Sequence, residues 1–273
     1  MAVAVITGAS SGIGEATAVR LSREPGYELV LVARRGERLR ALAESLLCPA
    51  TWLALDLTEA EAPRRVREHL EAEHGGRLEL LVNNAGAAWR ARFGEGGAAN
   101  VKRHMDLNFD AVVRLTEELL PLLHASAPSA IVNVASTAGR VARAGTGSYS
   151  ASKFALIGWS DALHLEERPH GVHVGMVLPG FVATEGFPAT ELREWALTRW
   201  IVSKPEKVAE AIYEVGPGGK PERYVPRPYA LAAVARILLP GLTRRVLGGG
   251  PAGALTTGTK ATPGGADGAA GSG

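Results

Sequence analysis

Residues 2–14 read A-V-A-V-I-T-G-A-S-S-G-I-G, an apolar run that ends on three closely spaced glycines. The run at 2–7 predicts a buried strand, and the pattern after it predicts a helix near 13–24. Glycines at such a junction permit a tight turn beside a pyrophosphate, which the free N–H groups of a helix start attract. The stretch therefore predicts a dinucleotide-binding turn, with the spacing G-x-x-x-G-x-G in place of the G-x-G-x-x-G fingerprint. The residues expected at the cofactor here are Gly8, Ser10, Ser11, Gly12, Ile13 and Gly14.

The same alternation of apolar runs and amphipathic patterns continues along the chain. Runs that are apolar throughout predict buried parallel strands. Repeated strand–helix–strand units predict an α/β fold, a doubly wound Rossmann-type parallel sheet with helices on both faces. We expect strands at 2–7, 29–33, 51–55, 79–82, 130–135 and 172–178, and helices near 13–24, 37–47, 59–74, 100–124 and 149–168.

The C-terminal part of the chain differs from the rest. We expect a single domain over residues 1–247, with a lid of short helices at about 185–215 and a terminal helix at about 229–247. A last strand is expected near 223–225. Residues 248–273 are nearly all Gly, Ala, Thr and Pro, a composition that cannot bury enough apolar surface to offset chain entropy. We therefore expect a disordered tail.

Composition excludes several classes of function. The net charge of +2, from 30 basic and 28 acidic residues, provides no extended basic face for nucleic acid. Cys48 is the single cysteine, which excludes an intramolecular disulfide and a cysteine metal cluster. The opening residues do not resemble a secretory signal, and no apolar run approaches the length that spans a bilayer. We expect a cytoplasmic protein.

Cofactor choice should be set where the second strand ends, beside the adenosine ribose. The sequence there is V-L-V-A-R-R, which places Arg34 and Arg35 at this point without a carboxylate. Guanidinium groups bind a phosphate in a bidentate way, so the pair predicts NADP, with Arg34 the better candidate. The alternative is that both arginines only begin a basic helix surface. Asp56, with Leu57 after it, follows the third strand and meets the adenine edge, or else Asp56 caps the next helix.

Tyr149 and Lys153 form the run Y-S-A-S-K and share one face of a predicted helix. A free tyrosine has a pKa of about 10, and a nearby positive charge lowers it. Such a pair predicts a proton donor and acceptor usable at neutral pH. Taken alone, it is more typical of a solvated helix face.

These motifs together resemble the short-chain dehydrogenase/reductase family, in its one-domain branch. The resemblance runs from residue 2 to about residue 185, and the order and spacing of the motifs agree with the family. It rests on T-G-A-S-S-G-I-G, D-L-T at Asp56, N-N-A-G at Asn83–Gly86, Asn108, Ser136, Y-S-A-S-K, and P-G-F-V-A-T at Pro179–Thr184.

The resemblance implies a role for each of four catalytic residues. Ser136 would hold the substrate oxygen, and Tyr149 would pass a proton to or from it. Lys153 would lower the pKa of Tyr149 and hold the nicotinamide ribose. Asn108 would sustain a water-linked proton path to that lysine. Ser136 and Asn108 have plainer alternatives as a turn residue and a structural polar side chain.

The resemblance also assigns further cofactor contacts. The N-N-A-G motif would steady the sheet and face the cofactor, although its asparagines are open to a wholly structural role. Thr184 and the backbone near Val182 would anchor the nicotinamide carboxamide. The contacts implied are Asn84, Ala85, Gly86, Tyr149, Lys153, Pro179, Gly180, Val182 and Thr184.

The activity implied is hydride transfer between NADP(H) and a carbonyl or a secondary or primary alcohol, without a metal. NAD(H) chemistry and a catalytically silent nucleotide-sensing protein are the alternatives. Aromatic residues in the lid suggest a hydrophobic small-molecule substrate, or else they pack the lid. Ala87, Trp89, Arg140 and Val141 are candidate pocket residues, and the alternative is that Arg140 and Arg143 lie on a solvated loop. The lid aromatics are Phe187, Trp195 and Trp200.

Two further expectations concern partners. The resemblance implies a homodimer or homotetramer formed through the long helices that hold Asn108 and Tyr149. The terminal helix at 229–247 has an aliphatic face with Arg236, Arg244 and Arg245. It could contact a membrane surface, cover the pocket or contact a subunit, and membrane contact is not the favoured interpretation.

Overall fold

The computed structural model describes residues 1–185 and 202–248. Strands and helices alternate along most of this part of the chain. The strands are β1 (Ala2–Thr7), β2 (Tyr27–Ala33), β3 (Ala50–Ala54), β4 (Leu80–Asn83), β5 (Ser129–Val134), β6 (Val172–Pro179), β7 (Phe181–Val182), β8 (Val202–Ser203) and β9 (Glu222–Val225). The helices are α1 (Gly12–Leu21), α2 (Gly36–Ser45), α3 (Ala62–His74), α4 (Phe93–Met105), α5 (Ala111–Ala125), α6 (Gly147–Glu167), α7 (Pro205–Val215), α8 (Tyr229–Leu238) and α9 (Pro240–Gly248).

The central sheet among the described residues has seven strands in the order β3-β2-β1-β4-β5-β6-β9, and every pair is parallel. A separate parallel pair joins β7 to β8. The strand order reverses direction between β1 and β4, where the carboxyl ends of the strands open a crevice. The predicted doubly wound Rossmann-type sheet is confirmed.

Alternating side chains along the strands build a core on each face of the sheet. Ala4 and Ile6 of β1 belong to one buried cluster, which also includes residues of α1, α2 and α7. Val3 and Val5 point to the other face and join a cluster with residues of α3, α5 and α6. This two-sided burial explains why the strands are apolar throughout, and it fixes the helices on both faces.

The segment expected to be a lid, at about 185–215, is described only in part. Residues 186–201, with the three aromatic residues expected to close a pocket, lie outside the described residues. Residues 205–215 form α7, whose Val208, Ile212 and Val215 are fully buried in the same cluster as α1. This helix therefore covers the sheet and connects it to β9. Of the predicted tail, Gly248 ends α9 and residues 249–273 lie outside the described residues.

Two predicted helices differ in detail from the structure. The helix expected at 229–247 breaks into α8 and α9, because Pro240 lacks an N–H and restricts the residue before it. Leu239 accordingly has φ −128° and ψ 58°. The helix expected at 100–124 is preceded by a helical turn from Phe93, which non-helical Gly97 (φ 51°, ψ −156°) separates from it. It also contains a π-helical turn at Asp106–Asp110 between α4 and α5. No helix within residues 1–185 and 202–248 has the length and apolar character to cross a bilayer.

Candidate active site

The glycine turn joins β1 to α1 and is closed by the loop after β4. Gly8 and Gly12 have φ values of +66° and +60°, in the region that favours glycine. A Cβ on Gly14 would collide with the carbonyl of Gly8 and lie 2.7 Å from Nδ2 of Asn84. Ser11 precedes the helix without capping it through its side chain, so the first N–H groups remain available to an anion. The turn therefore fits a pyrophosphate.

The N-N-A-G motif holds this turn in place. Asn84 Nδ2 donates to the carbonyl oxygen of Thr7 at 2.8 Å, and Thr7 Oγ1 accepts from the N–H groups of Asn84 and Ala85 at 2.9 and 3.0 Å. Asn83 is buried between strands and donates to Asn133 at 2.9 Å. Both asparagines thus have structural contacts, and the cofactor-facing part of the motif is its backbone.

Arg35, rather than Arg34, contacts the glycine turn. Its guanidinium donates to Oγ of Ser11 at 2.6 Å and to Oγ of Ser10 at 3.1 Å. It also pairs with Glu185 at 3.2 Å. The Arg34 side chain is 76% exposed, and its nearest carboxylate among the described residues is Asp56, at 4.0 Å. The cationic group best placed at the turn is therefore the second arginine of the pair.

Asp56 makes turn-forming hydrogen bonds, which agree with its alternative interpretation as a structural capping residue. Its Oδ1 accepts from the backbone N–H of Thr58 at 3.0 Å and from the Thr58 hydroxyl at 2.7 Å. These bonds hold the pKa of Asp56 below its usual range, and the charge of Arg34 lowers it further. Leu57 is buried in the core, and its carbonyl accepts from Arg114 at 3.3 Å.

The segment after β6 returns to the glycine turn. A Cβ on Gly12 would lie 3.0 Å from Cγ2 of Thr184, so this threonine sits directly over the turn. Val182 is buried and pairs with Ser203 of β8. Gly180 donates to the carbonyl of Val225 at 2.8 Å. Strand pairing therefore brings the predicted nicotinamide contacts to the same edge of the sheet as the pyrophosphate turn.

Lys153 is buried at the carboxyl end of β5. Its Nζ donates to the carbonyl oxygen of Val134 at 2.8 Å, and the residue is 5% exposed. Burial lowers the pKa of Lys153 to about 8. A Cβ on Gly86 would lie 3.6 Å from this Nζ and 3.0 Å from Oδ1 of Asn108. Glycine at the end of N-N-A-G therefore leaves room for both polar side chains.

Asn108 lies in the π-helical turn, a feature that often marks functional sites. It is fully buried. Its Oδ1 accepts from the N–H of Ala87 at 2.9 Å, and its Nδ2 donates to the Ala87 carbonyl at 3.0 Å and to Ser152 Oγ at 3.1 Å. These contacts fix the loop after β4 against α6. They are the contacts expected if Asn108 is a structural polar side chain, the alternative to a role in proton transfer.

Ser136 and Tyr149 meet at the mouth of the crevice. Ser136 Oγ accepts from the N–H of Ala138 at 3.1 Å and donates to the carbonyl of Pro179 at 3.4 Å. Burial raises the pKa of Tyr149, while a hydrogen bond with Ser136 and the charge of Arg143 oppose that rise. The sequence predicts a lowered pKa with Lys153 as the cause. The structure differs, because burial dominates and the cation acting on the phenol is Arg143.

Several residues around Tyr149 are not marked by any motif. The ring of His104 lies 6.1 Å from that of Tyr149 and 5.0 Å from that of Trp89. His104 Nδ1 lies 2.7 Å from the carbonyl of Asn100, and its Nε2 accepts from the N–H of Trp89 at 3.0 Å, which assigns the proton to Nδ1. Burial lowers the pKa of His104. Its spacing of four residues from Asn108 on one helix face is the sequence signal that could have identified it.

The two loop arginines have different surroundings. Arg140 pairs with Glu222 of β9 at 2.9 Å, which directs it to the sheet edge. The guanidinium carbon of Arg143 lies 4.5 Å from the centre of the Phe181 ring. Arg143 is half-buried and has no ion pair with a carboxylate among the described residues. It is therefore the arginine of this loop that faces the candidate site.

A family model described as short chain dehydrogenase matches residues 2–195. The chain is 34% identical over 218 residues to a cis-4-hydroxycyclohexanecarboxylate dehydrogenase of Sinomonas cyclohexanicum, covering 77% of this chain and 87% of that protein. It is 35% identical over 182 residues to an NADPH-dependent 1-acyldihydroxyacetone phosphate reductase of Schizosaccharomyces pombe, covering 66% of this chain and 60% of that protein.

The fold also matches a solved structure. The crystal structure of a dehydrogenase/reductase from Sinorhizobium meliloti 1021 superimposes with a TM-score of 0.73. The two chains are 29% identical, and the match covers 82% of this chain and 92% of the other.

Proposed function

Since the chain belongs to the short-chain dehydrogenase/reductase family, we propose that this oxidoreductase uses NADP(H) to interconvert a carbonyl and a secondary or primary alcohol. The observation that carries the proposal is the convergence of Ser136 and Tyr149 beside a glycine turn that fits a pyrophosphate. Lys153 and Asn108 lie against Gly86, in the loop after β4. A substrate oxygen held between the serine and the phenol would then exchange a proton with Tyr149.

Each side chain contributes a separate part of this chemistry. When bound, the nicotinamide cofactor supplies or accepts the hydride. The Ser136 hydroxyl orients the substrate oxygen, and Tyr149 moves the proton at its phenolic oxygen. Because burial raises the pKa of Tyr149, the phenol is protonated at neutral pH and suited to donate to a carbonyl oxygen. The hydrogen bond from Lys153 to the Val134 carbonyl fixes its ammonium group, which would donate to a ribose hydroxyl of the cofactor.

The preference for NADP(H) over NAD(H) is supported by charge at the end of β2. Arg35 bonds both serines of the glycine turn, and Arg34 extends beside it with most of its side chain exposed. No acidic residue lies at 33–35, where a carboxylate would bond a ribose hydroxyl. A 2′-phosphate would compete with Glu185 for Arg35. The Schizosaccharomyces relative is NADPH-dependent by its name.

A small and partly hydrophobic substrate is the best match to the described surroundings. Trp89, His104 and Phe181 supply aromatic surface near the site, and Arg143 supplies positive charge. The names of the two relatives specify an alcohol on a cyclohexane ring and an acyl ketone phosphate, each with an anionic group. We propose a small, partly hydrophobic carbonyl or alcohol compound for this chain.

The remaining expectations extend the proposal to the whole protein. We propose a single domain over 1–247, a tail at 248–273 and a cytoplasmic location. A homodimer or homotetramer through the helices that hold Asn108 and Tyr149 is supported by Phe154 and Leu165 of α6, which are exposed and share one face. Size-exclusion chromatography with light scattering tests this assembly, and a monomer at all concentrations contradicts it.

The test of the activity is a panel of ketones and aldehydes with NADPH and, separately, with NADH. Loss of reduced-nicotinamide absorbance that depends on the carbonyl and is faster with NADPH supports the proposal. Faster consumption of NADH supports the alternative cofactor. Tight NADPH binding without turnover of any carbonyl, or of the corresponding alcohols with NADP, supports a nucleotide-sensing protein and contradicts the proposal.

A further inference from the structure

The two C-terminal helices carry an unusual amount of exposed apolar surface. Thirteen large hydrophobic side chains are exposed among the described residues, and seven of them lie within residues 231–246. Isolated exposed hydrophobic residues are ordinary, whereas a contiguous group marks a binding surface. We call this group the apolar patch; its members are Leu231, Val234, Ile237, Leu238, Leu239, Leu242 and Val246.

The patch faces away from the rest of the protein. Leu231, Val234 and Leu238 follow the spacing i, i+3, i+7 and share one face of α8. The opposite face holds the helix on the protein, because Ala233 is buried and a Cβ on Gly180 would collide with the ring of Tyr229. The break at Pro240 turns α9 without returning its Leu242 to the core. The apolar side chains therefore remain available to an external partner.

The charges within residues 226–248 have one sign. Residues 226–248 contain no Asp, Glu or Lys, and their four arginines form no ion pair among the described residues. Three of the four are exposed, and Arg236 is half-buried. Apolar side chains bordered by unpaired arginines match a surface that is apolar within and anionic at its edge. The four are Arg227, Arg236, Arg244 and Arg245.

We propose that α8 and α9 lie on the surface of an anionic lipid bilayer, with the apolar patch among the acyl chains and the three exposed arginines at the lipid phosphates. A second copy of the chain is a weaker match, since a two-fold contact through the patch would bring the arginines of both copies together without acidic partners. Tyr229 packs on Gly180, next to Pro179, whose carbonyl accepts from Ser136. The bilayer would therefore lie close to the candidate active site.

The test is co-sedimentation of the full chain with phosphatidylcholine vesicles, with and without about one third phosphatidylglycerol. We expect binding to the vesicles that contain phosphatidylglycerol, and weaker binding at high salt. Arg244→Gln with Arg245→Gln should lower the partition coefficient about fivefold for each arginine. Leu238→Ser with Leu242→Ser should lower it about tenfold for each leucine.

Matched controls separate this surface from general effects. Leu47 is 78% exposed outside the patch, and Arg23 is an exposed arginine on another face, so Leu47→Ser and Arg23→Gln should bind vesicles as the unaltered chain does. Circular dichroism and NADPH binding check that every variant is folded. Equal vesicle binding by the patch variants and the controls would overturn the proposal. So would loss of an oligomer in the leucine variant with vesicle binding unchanged, because the patch would then be a subunit contact.

Discussion

The Nζ of Lys153 donates a 2.8 Å hydrogen bond to the carbonyl oxygen of Val134, the last residue of β5. This bond, with the burial of the side chain, fixes the ammonium at the carboxyl edge of the sheet. Lys153 thus has a sheet contact in addition to sharing the helix α6 with Tyr149. The lysine is bonded to the sheet, and the Ser136 hydroxyl acts on the pKa of the Tyr149 phenol at the crevice.

Burial of Lys153 should make stability depend on pH in the alkaline range. The pKa falls from 10.5 to about 8 on folding, so between these values the unfolded chain binds more protons and stability rises with pH. The full change is about 3 kcal/mol. Urea unfolding at about pH 7 and about pH 10 should show the unaltered chain gaining most of this amount relative to Lys153→Met. The matched variant of exposed Lys102, Lys102→Met, should show no such difference, and a difference independent of pH in Lys153→Met would contradict the assignment.

Gly86→Ala should impair activity while leaving most of the fold intact. The added Cβ would lie 3.0 Å from Oδ1 of Asn108 and 3.6 Å from Nζ of Lys153, so it would displace one of the two. We expect kcat to fall about a hundredfold, because misplacement of about 1 Å has effects of that order. Gly94→Ala is the control, since nothing lies within 4 Å of its Cβ. Equal activity of the two variants would show that the space at Gly86 is not needed.

Arg35→Ala should weaken NADPH binding and leave NADH binding nearly unchanged. Arg35 bonds Ser10 and Ser11, and a charged hydrogen bond to phosphate accounts for about tenfold to a hundredfold in affinity. Arg34→Ala should have a smaller effect, because its side chain is mostly exposed. Calorimetric titration with both cofactors measures the ratio, with Arg40→Ala as the control. A larger loss of NADPH affinity in Arg34→Ala than in Arg35→Ala would instead identify Arg34, the residue that the sequence favours, as the phosphate ligand.

His104 should support the site only while it is neutral. Its pKa is lowered by burial, so the unfolded chain takes up the proton first as pH falls below 6.5, and the stabilisation present above 6.5 is then lost. Protonation would also remove the acceptor of the Trp89 N–H. The difference in unfolding free energy between the unaltered chain and His104→Leu should shrink below pH 6.5. A constant difference down to about pH 5 would exclude this role.

Most of the fold could be predicted from the sequence because its signals are local. The parallel sheet can be predicted from the apolar strands, the glycines of the turn and the order of the motifs. None of these signals depends on contacts between residues far apart in sequence. Pro240 is also a local signal, because a proline cannot continue a helix, and it marks the break between α8 and α9.

The rest of the site depends on contacts between residues far apart in sequence. Arg35 is distinguished from Arg34 only by the position of Ser10 and Ser11 in the folded turn. The raised pKa of Tyr149 depends on burial, which spacing along a helix does not report. The charge of Arg143 acts on the Tyr149 phenol, and the Arg143 guanidinium packs on the ring of Phe181, which lies on the segment after β6. In each case the decisive neighbour comes from another element of the sheet.

The most direct test of the proposed chemistry is the rate of carbonyl-dependent NADPH oxidation by Tyr149→Phe, measured beside its NADPH affinity. The substitution removes one oxygen and keeps the ring beside His104. We predict that turnover falls by at least about a hundredfold, as expected for loss of a general acid, while the dissociation constant of NADPH changes little. Undiminished turnover by Tyr149→Phe would contradict the role of the phenol as the proton donor.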